Sequence, residues 1–349
     1  MTDPNTKLVS ADVDESANKT HAPKKRNMMG CVLKAVFMLA LLAGALYLLQ
    51  SLLAPSEVED DKTVQIQKAG ASETVTEPEE QQGPKRLTDT ISMKQIGSAE
   101  HPLDPLMELA DRGLEIIDSK YFDYSTKMLS QVRAGGKLHD ENLMLLKVRH
   151  DRETEVDGTK TKVPFSVYTR FLKPKAKVGQ EAIWVRGKND EKIIGHGTGL
   201  QGLVTVRLPP KGMFAMTGNR YPIYQIGFRN LIVKMKEFGT NDRKYGECEV
   251  QIERNIQVDG RSCTLLTVTH PEKRDHFEYH IAKIYIDDEY EIITGYEGFL
   301  WPEKEGEEPP LLEKYFYLDL KLNPGFQDID FDTKNPEYEY PQWLSLIHI

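Results

Sequence analysis

Cysteine is scarce in this chain: three of 349 residues, Cys31, Cys248 and Cys263. So few thiols exclude a disulfide-dense scaffold. A bridge between Cys248 and Cys263 is disfavoured by register. The stretch QVDGRS (Gln257 to Ser262) reads as a hairpin turn with Asp259-Gly260 at its tip. That turn sets Cys263 opposite Ile256 and Cys248 near Pro271, too far apart along the ribbon for two sulfurs to meet. Stripes of Lys and Arg interleaved with aromatics are missing, and the formal net charge is −9, so nucleic acid is not the expected partner. The alternation of strand and helix that builds a parallel sheet is missing too. GHGTGLQG (Gly195 to Gly202) lacks the lysine of a phosphate loop, and no helix pattern follows it. There is no G-x-S-x-G nucleophile elbow. That glycine-rich stretch therefore reads as a turn between strands, and no residue set calls for a cofactor.

What is present suits a soluble body behind a membrane anchor. The chain is 39% hydrophobic and 28% charged. Residues 1–28 are polar and carry Lys24, Lys25 and Arg26. AVFMLALLAGALYLLQSLLA then runs from Ala35 to Ala54 without a charge. At 1.5 Å per residue that stretch covers about 30 Å, the thickness of a bilayer core. We assign residues 29–54 to a transmembrane helix with Ala35, Leu39, Leu46 and Leu53 among its lipid-facing anchors. Basic residues precede it, whereas Glu57, Glu59, Asp60 and Asp61 follow it. The asymmetry predicts a cytoplasmic N-terminus, a single pass through the inner membrane and an extracytoplasmic remainder. A cleaved signal peptide fits worse, because the best cut after Ala54 has Leu52 where a small residue is needed. Residues 55–99 are acidic and polar with few large apolar side chains, the composition of a disordered tether.

The folded domain is expected over residues 100–341. HPLDPLMELADRGLEIIDS opens it, with Leu103, Leu106, Met107, Ala110, Leu114 and Ile117 at helical spacing. Asp104-Pro105 suits the start of that helix. Strand-like runs follow at 124–132, 143–149, 165–172, 182–186, 192–196 and 203–208. A second helix is predicted from Pro222 to about Phe238, closed by Gly239. Four more strands are read at 248–257, 263–269, 277–286 and 291–300. The last run, Tyr315 to Leu322, alternates: Phe316, Leu318, Leu320 and Leu322 point one way, and Tyr315, Tyr317, Asp319 and Lys321 the other. This predicts one dry and one wet face. Many short-spaced strands with two helices predict an α+β fold. We expect a strongly curved antiparallel sheet, a half-barrel of about ten to eleven strands, with the helices on its concave face.

Four segments, HPLDPLMELADRGLEII, DGRSCTLLTVTHPE, AKIYIDDEYEIITGYEGFLWPE and LLEKYFYLDLKLNPGFQDIDFDTKNPEYEY, together resemble an uncharacterised bacterial family of domains of unknown function. That family is similar in turn to the lipoprotein-localisation-factor superfamily, half-barrels that carry acyl chains or sense envelope proteins. The resemblance covers about residues 99–341 and brings no catalytic residues with it. Its motifs read as scaffold. IYIDDEYEIITGYE makes a hairpin, Pro324-Gly325 ends the last strand, and NPEYEYP lays two tyrosines along the sheet. The tail, residues 342–349, lies beyond the pattern; an edge strand, an interfacial anchor and sequence of foreign origin all account for it.

Candidate ligand-lining residues follow from this expectation. Met213, Phe214 and Met216 suit an adaptable apolar mouth. Ile223, Ile226 and Leu231 share a face of the second helix, and Trp184 could line a cleft. Ordinary core filling accounts for the same residues. His276, Glu278 and His280 fall on one face of a predicted strand, with His270 nearby, and imidazole with carboxylate can hold zinc. A wet strand face accounts for them as well. The leading expectation is a membrane-tethered binding module for an acyl chain, a lipoprotein or an apolar peptide. A cell-envelope interaction or sensor domain without a lipid guest is the alternative, and a metal-assisted hydrolase at the histidines is third.

Overall fold

The computed structural model describes residues 66–68, 86–341 and 347–348. The anchor residues Ala35, Leu39, Leu46 and Leu53, with most of the tether and tail, lie outside the described residues. Among the described residues no helix is long and apolar enough to cross a membrane.

Two short elements lead in, strand β1 (Ile66–Lys68) and helix α1 (Met93–Ser98), where Ser92 Oγ accepts from the Gln95 N–H. Helix α2 (Asp104–Lys120) carries Pro105 in its first turn, where a missing N–H costs nothing. Then come β2 (Asp123–Ala134), β3 (Lys137–Leu138), β4 (Asn142–Arg149), the hairpin β5 (Arg152–Val156) and β6 (Thr159–Val163), β7 (Ser166–Lys173), β8 (Glu181–Val185), β9 (Ile193–His196) and β10 (Val206–Leu208). Helices α3 (Met213–Met216) and α4 (Phe228–Asp242) follow. The chain continues with β11 (Glu249–Val258), β12 (Arg261–Thr269), β13 (Ile281–Asp287), β14 (Ile293–Phe299), β15 (Leu311–Leu322) and the two-residue β16 (Ile347–His348).

The sheet consists of two meanders joined at their far ends. β11 to β15 pair in sequence, β15 pairs with β2, and the ladder runs on through β4, β7, β8, β9 and β10. Strands distant in the chain therefore form the middle: Phe316 lies opposite Leu129, and Tyr317 opposite Met128. The pairing of β10 with β9 and of β11 with β12 leaves these strands near opposite margins. The connection from β10 to β11 must travel the width of the sheet, and α3, α4 and the intervening turns make that crossing.

The sheet is antiparallel throughout except where β16 meets β10, as expected of an α+β fold with few helices. It is not, however, a strongly curled half-barrel. Closure requires the margins to approach one another with a matching stagger. Among the described residues they do not pair with each other, and the crossing and α2 are spread over one face between them.

Both faces are covered. On the helix side, α2 and α4 pack on one large apolar cluster that includes Ile117, Leu146, Val148, Phe228, Ile232 and Leu266. Fully burying such a side chain is worth roughly 1.5–3 kcal/mol. Opposite it, Leu129, Cys263, Leu265, Tyr285 and Phe316 form a second cluster. The segment after β15 forms a third over β7 to β9: Tyr338 stacks on Tyr168 with centroids 4.0 Å apart, and Tyr340 Oη donates to the Ile194 carbonyl at 3.0 Å. The two tyrosines of NPEYEYP thus lie along the sheet.

Three local readings need correction. The second helix starts at Phe228, not Pro222, because Gly227 sits at φ +108° beneath Tyr124 and interrupts it. Nor does Gly239 end that helix; it is interior, where a Cβ would come 2.8 Å from Met107 Sδ. Its small size serves the close approach of α2 and α4 rather than a cap. On β15 the alternation breaks at Asp319, which has φ +49°, and the pairing with β2 shifts by a residue between Leu318 and Lys321. Leu320 and Leu322 consequently turn to the helix side with Tyr315 and Tyr317, while Phe316 and Leu318 pack on the other. The supposed wet face is the helix-covered one.

Candidate functional site

The crossing does not fill the space above the sheet. Gly212 N–H donates to the Pro209 carbonyl at 2.8 Å, closing the turn into α3. Gly218 (φ +70°) and Gly227 bend the chain twice more before α4. At Gly227 a Cβ would stand 2.5 Å from Tyr124 Oη, so only glycine lets the backbone come down on that buried ring. Between this covering segment and the sheet lies a cavity of about 600 Å³. Its floor is Met128, Val132, Met144, Phe171, Ala182 and Ile193. Its roof includes Ile223, Ile226, Leu231 and Met235, with Tyr315 and Tyr317 at the side. A smaller apolar void of about 80 Å³ lies between α2, α4 and β12 to β14.

One end of the large cavity is charged. Glu313 on β15 is 2% exposed. Its carboxylate accepts from Tyr221 Oη and Tyr315 Oη, each at 3.1 Å, and Arg220 Nε stands 3.0 Å away. Arg220 also reaches Glu278 at 2.5 Å. Burial holds the Glu313 carboxyl above its ordinary range, against the opposing pull of Arg220 and the two hydroxyls. Lys177 also lines the cavity; its Nζ donates to Asn142 Oδ1 at 2.8 Å and lies 5.2 Å from the Phe171 ring centroid. Burial lowers the Lys177 ammonium below its usual range, with Asp140 pulling the other way. A largely apolar hollow with a paired acid-base network and a partly desolvated cation in its wall suits a ligand with an apolar body and a polar head.

Of the residues proposed from sequence, Phe214, Ile223, Ile226 and Leu231 line this cavity. Met213 and Met216 lie beside it in α3 and do not line it. Trp184 is buried at the β8–β9 margin of the core, where its indole N–H donates to the Glu191 carbonyl. Glu313, Arg220, Tyr221, Tyr315 and Lys177 were missed. Glu313 carries a faint signal, since it falls in phase with Tyr315 and Tyr317.

The histidine cluster does not assemble. The strand begins at Ile281, so His276, Glu278 and His280 sit in the preceding turns. His276 stacks on Tyr245, Glu278 pairs with Arg220, and His280 bonds the His270 carbonyl. Among the described residues no three His, Cys, Asp or Glu side chains are placed to hold a metal ion. His270 is fully buried against Phe277, its Nε2 3.5 Å from Asp242 Oδ2.

With the geometry established, comparison with known proteins finds a family model, described as a protein of unknown function (DUF1571), that matches residues 121–340. The chain belongs to the DUF1571 family. No curated protein matches it. Among solved structures it is similar to a DUF1329 family protein from Desulfovibrio piger (15% identity, 66% of this chain, 98% of that chain, TM-score 0.30). A LolA superfamily protein from Nitrosomonas europaea is also similar (12% identity, 64% and 97%, TM-score 0.25). So is MucB in its complex with MucA from Pseudomonas aeruginosa (12% identity, 65% and 60%, TM-score 0.36). The family resemblance therefore holds over residues 121–340, which contain three of the four segments, and the neighbours include a protein described as of the LolA superfamily.

Proposed function

We propose that this protein is a membrane-tethered, extracytoplasmic binding module for an amphiphile, with an acyl chain, free or on a lipoprotein, in the large cavity. The observation that supports the reading is the cavity of about 600 Å³ between the covering segment and the sheet, whose wall is largely apolar with polar and charged groups set into it. Ligand pockets generally measure about 300–1,000 Å³. Each methylene taken from water contributes about 0.8 kcal/mol. A guest burying ten of them gains about 8 kcal/mol, from which at least about 4 kcal/mol of lost freedom must be subtracted. Such binding is moderate and exchangeable, as a carrier or sensor requires. The tether and the orientation rest on the charge-free run at residues 35–54 and its basic flank.

The test is organic extraction of the purified full chain followed by mass spectrometry, with an Ala182→Leu variant in parallel. Ala182 is on the cavity floor, and a larger side chain there takes the space of several guest methylenes. Stoichiometric acyl lipid from the parent and several-fold less from the variant is the expected result. Equal lipid from both, or none from the parent after incubation with fatty acid, would sink the reading.

A further inference from the structure

The rim of the cavity shows two bulky apolar side chains to solvent. Met213 is 78% exposed and Phe214 65%, side by side on α3. Single exposed apolar residues are common. An adjacent pair at the mouth of an apolar cavity is a local patch, and Phe214 itself lines the cavity. The loop between β7 and β8 reaches the same mouth through Lys177 and Gln180, and it exposes Val178 (47%) beside Lys177.

The segments that carry these side chains hold basic residues and no acid. The chain holds 54 acidic residues, yet none occurs from Lys192 to Lys236. That window carries Lys211, next but one to Met213, together with Arg207 and Arg220. The β7–β8 loop, 174–180, has Lys175 and Lys177 and no acid. The acids that approach from other elements are Asp140, which faces Lys177, Glu339, which reaches the β7–β8 loop at Gly179 and is paired with Arg170, and Glu237, held by Lys234 at 2.8 Å. Glu141 is occupied by Lys314 at 2.6 Å, and Glu278 by Arg220. Exposed Met, Phe and Val flanked by lysines match the interface of an anionic bilayer, where apolar groups enter the acyl boundary and cations meet phosphates.

We propose that the mouth of the cavity is a membrane-docking surface: Met213, Phe214 and Val178 dip into an anionic lipid leaflet while Lys177 and Lys211 sit at the level of its headgroups. Docking in this way turns the opening of the cavity toward the lipid. It is separate from the guest reading, since a surface can dock whether or not its cavity takes an acyl chain.

The experiment uses the full chain carrying Met213→Trp in nanodiscs, which leave both leaflets accessible, with the parent as background. Discs contain phosphatidylcholine alone or mixed with phosphatidylglycerol, with plain or brominated acyl chains. Bromine is expected to quench the added emission in the anionic discs and far less in the neutral ones. Lys177→Glu and Lys211→Glu should each lower the docked-to-undocked ratio about five-fold or more. Ala182→Leu should leave the quenching intact. Quenching that vanishes with Ala182→Leu would come from a lipid inside the cavity and overturn the proposal. Absence of bromine quenching in anionic discs, or quenching indifferent to lipid charge and to both reversals, would overturn it too. Emission shielded from aqueous acrylamide without bromine quenching would assign the patch to a protein partner instead.

Discussion

Arg220 Nε stands 3.0 Å from Glu313 Oε2, and this contact fastens the covering segment to the central strand of the sheet. Arg220 lies between α3 and α4 in the crossing, whereas Glu313 belongs to β15, which pairs with β2 in the middle of the ladder. A carboxylate buried this deeply is stable only while its partners stay. Arg220→Met should therefore destabilise the fold by about 3 kcal/mol. The double variant Arg220→Met with Glu313→Gln, which removes both charges, should recover most of the loss. Urea unfolding of Arg220→Met, Glu313→Gln and the double variant reads the coupling; two additive effects would show that the contact fastens nothing.

His150 is the second group whose surroundings dictate a measurable response. It lies among the rings of Tyr124, Phe165 and Phe228, with centroids 5.9 to 6.2 Å away. Burial pushes its pKa down to about 4. The unfolded chain takes up a proton near the ordinary value of about 6.5, and the folded chain refuses it until about 4. Its stability contribution is thus complete above about pH 6.5 and drains as pH falls toward about 4. Replacing it with phenylalanine removes that loss. The stability of His150→Phe relative to the parent should rise by up to about 3 kcal/mol across that window. A difference that stays constant with pH would contradict the burial argument. The comparison with the parent is needed because Asp242, pushed by burial up to about 6, shifts stability in the opposite sense over an overlapping range.

Two glycines separate packing from propensity. At Gly295 on β14 a Cβ would come 2.5 Å from Phe316 Cε1 and 3.0 Å from Tyr285 Cδ2. Both rings are buried and fixed in the second cluster. Gly295→Ala should cost roughly 1–3 kcal/mol. At Gly97 in α1 nothing lies within 4 Å of the new carbon. There the same change should be neutral or stabilising by about 0.5–1 kcal/mol, because glycine loses more freedom in a helix. Thermal unfolding of the pair should place them on opposite sides of the parent.

Cys248 and Cys263 are free thiols. Ile256, not Cys248, lies opposite Cys263 across the hairpin, as the Asp259-Gly260 turn predicts. Burial pushes the Cys248 thiol up to about 11 and the Cys263 thiol up to about 12, so little thiolate forms near neutral pH. Peptide mapping after brief alkylation should find both unmodified in the folded chain and both modified in denaturant. A bridged peptide containing the two would overturn the register.

Much of the scaffold was legible because its signals are local. The eleven strand runs read from alternation and turn residues all correspond to strands of the large sheet. The hairpin at Asp259-Gly260 and the stop at Pro324-Gly325 depend only on backbone preferences of a few neighbouring residues. The β5–β6 hairpin was missed because its residues are polar on both faces, leaving no period to read. The cavity was half legible. Ile223, Ile226 and Leu231 were found as an apolar helical face, although the helix starts later than expected. Arg220, Glu313 and Lys177 were not found, since a charge gives no sequence sign of being buried.

By itself the sequence determined eleven of the strands and an apolar segment destined to cover a sheet, which follow from side-chain periodicity and turn chemistry within short windows, and its ordered motifs determined the family. Tertiary structure alone decided that β15 joins β2, that the margins stay apart, and that the segment between β10 and β11 must cross the face. Strand order is set by contacts between residues nearly two hundred positions apart. The hollow lies between the floor strands β2, β4, β7, β8 and β9 and the covering segment that crosses them, a juxtaposition of distant segments that no local pattern could specify.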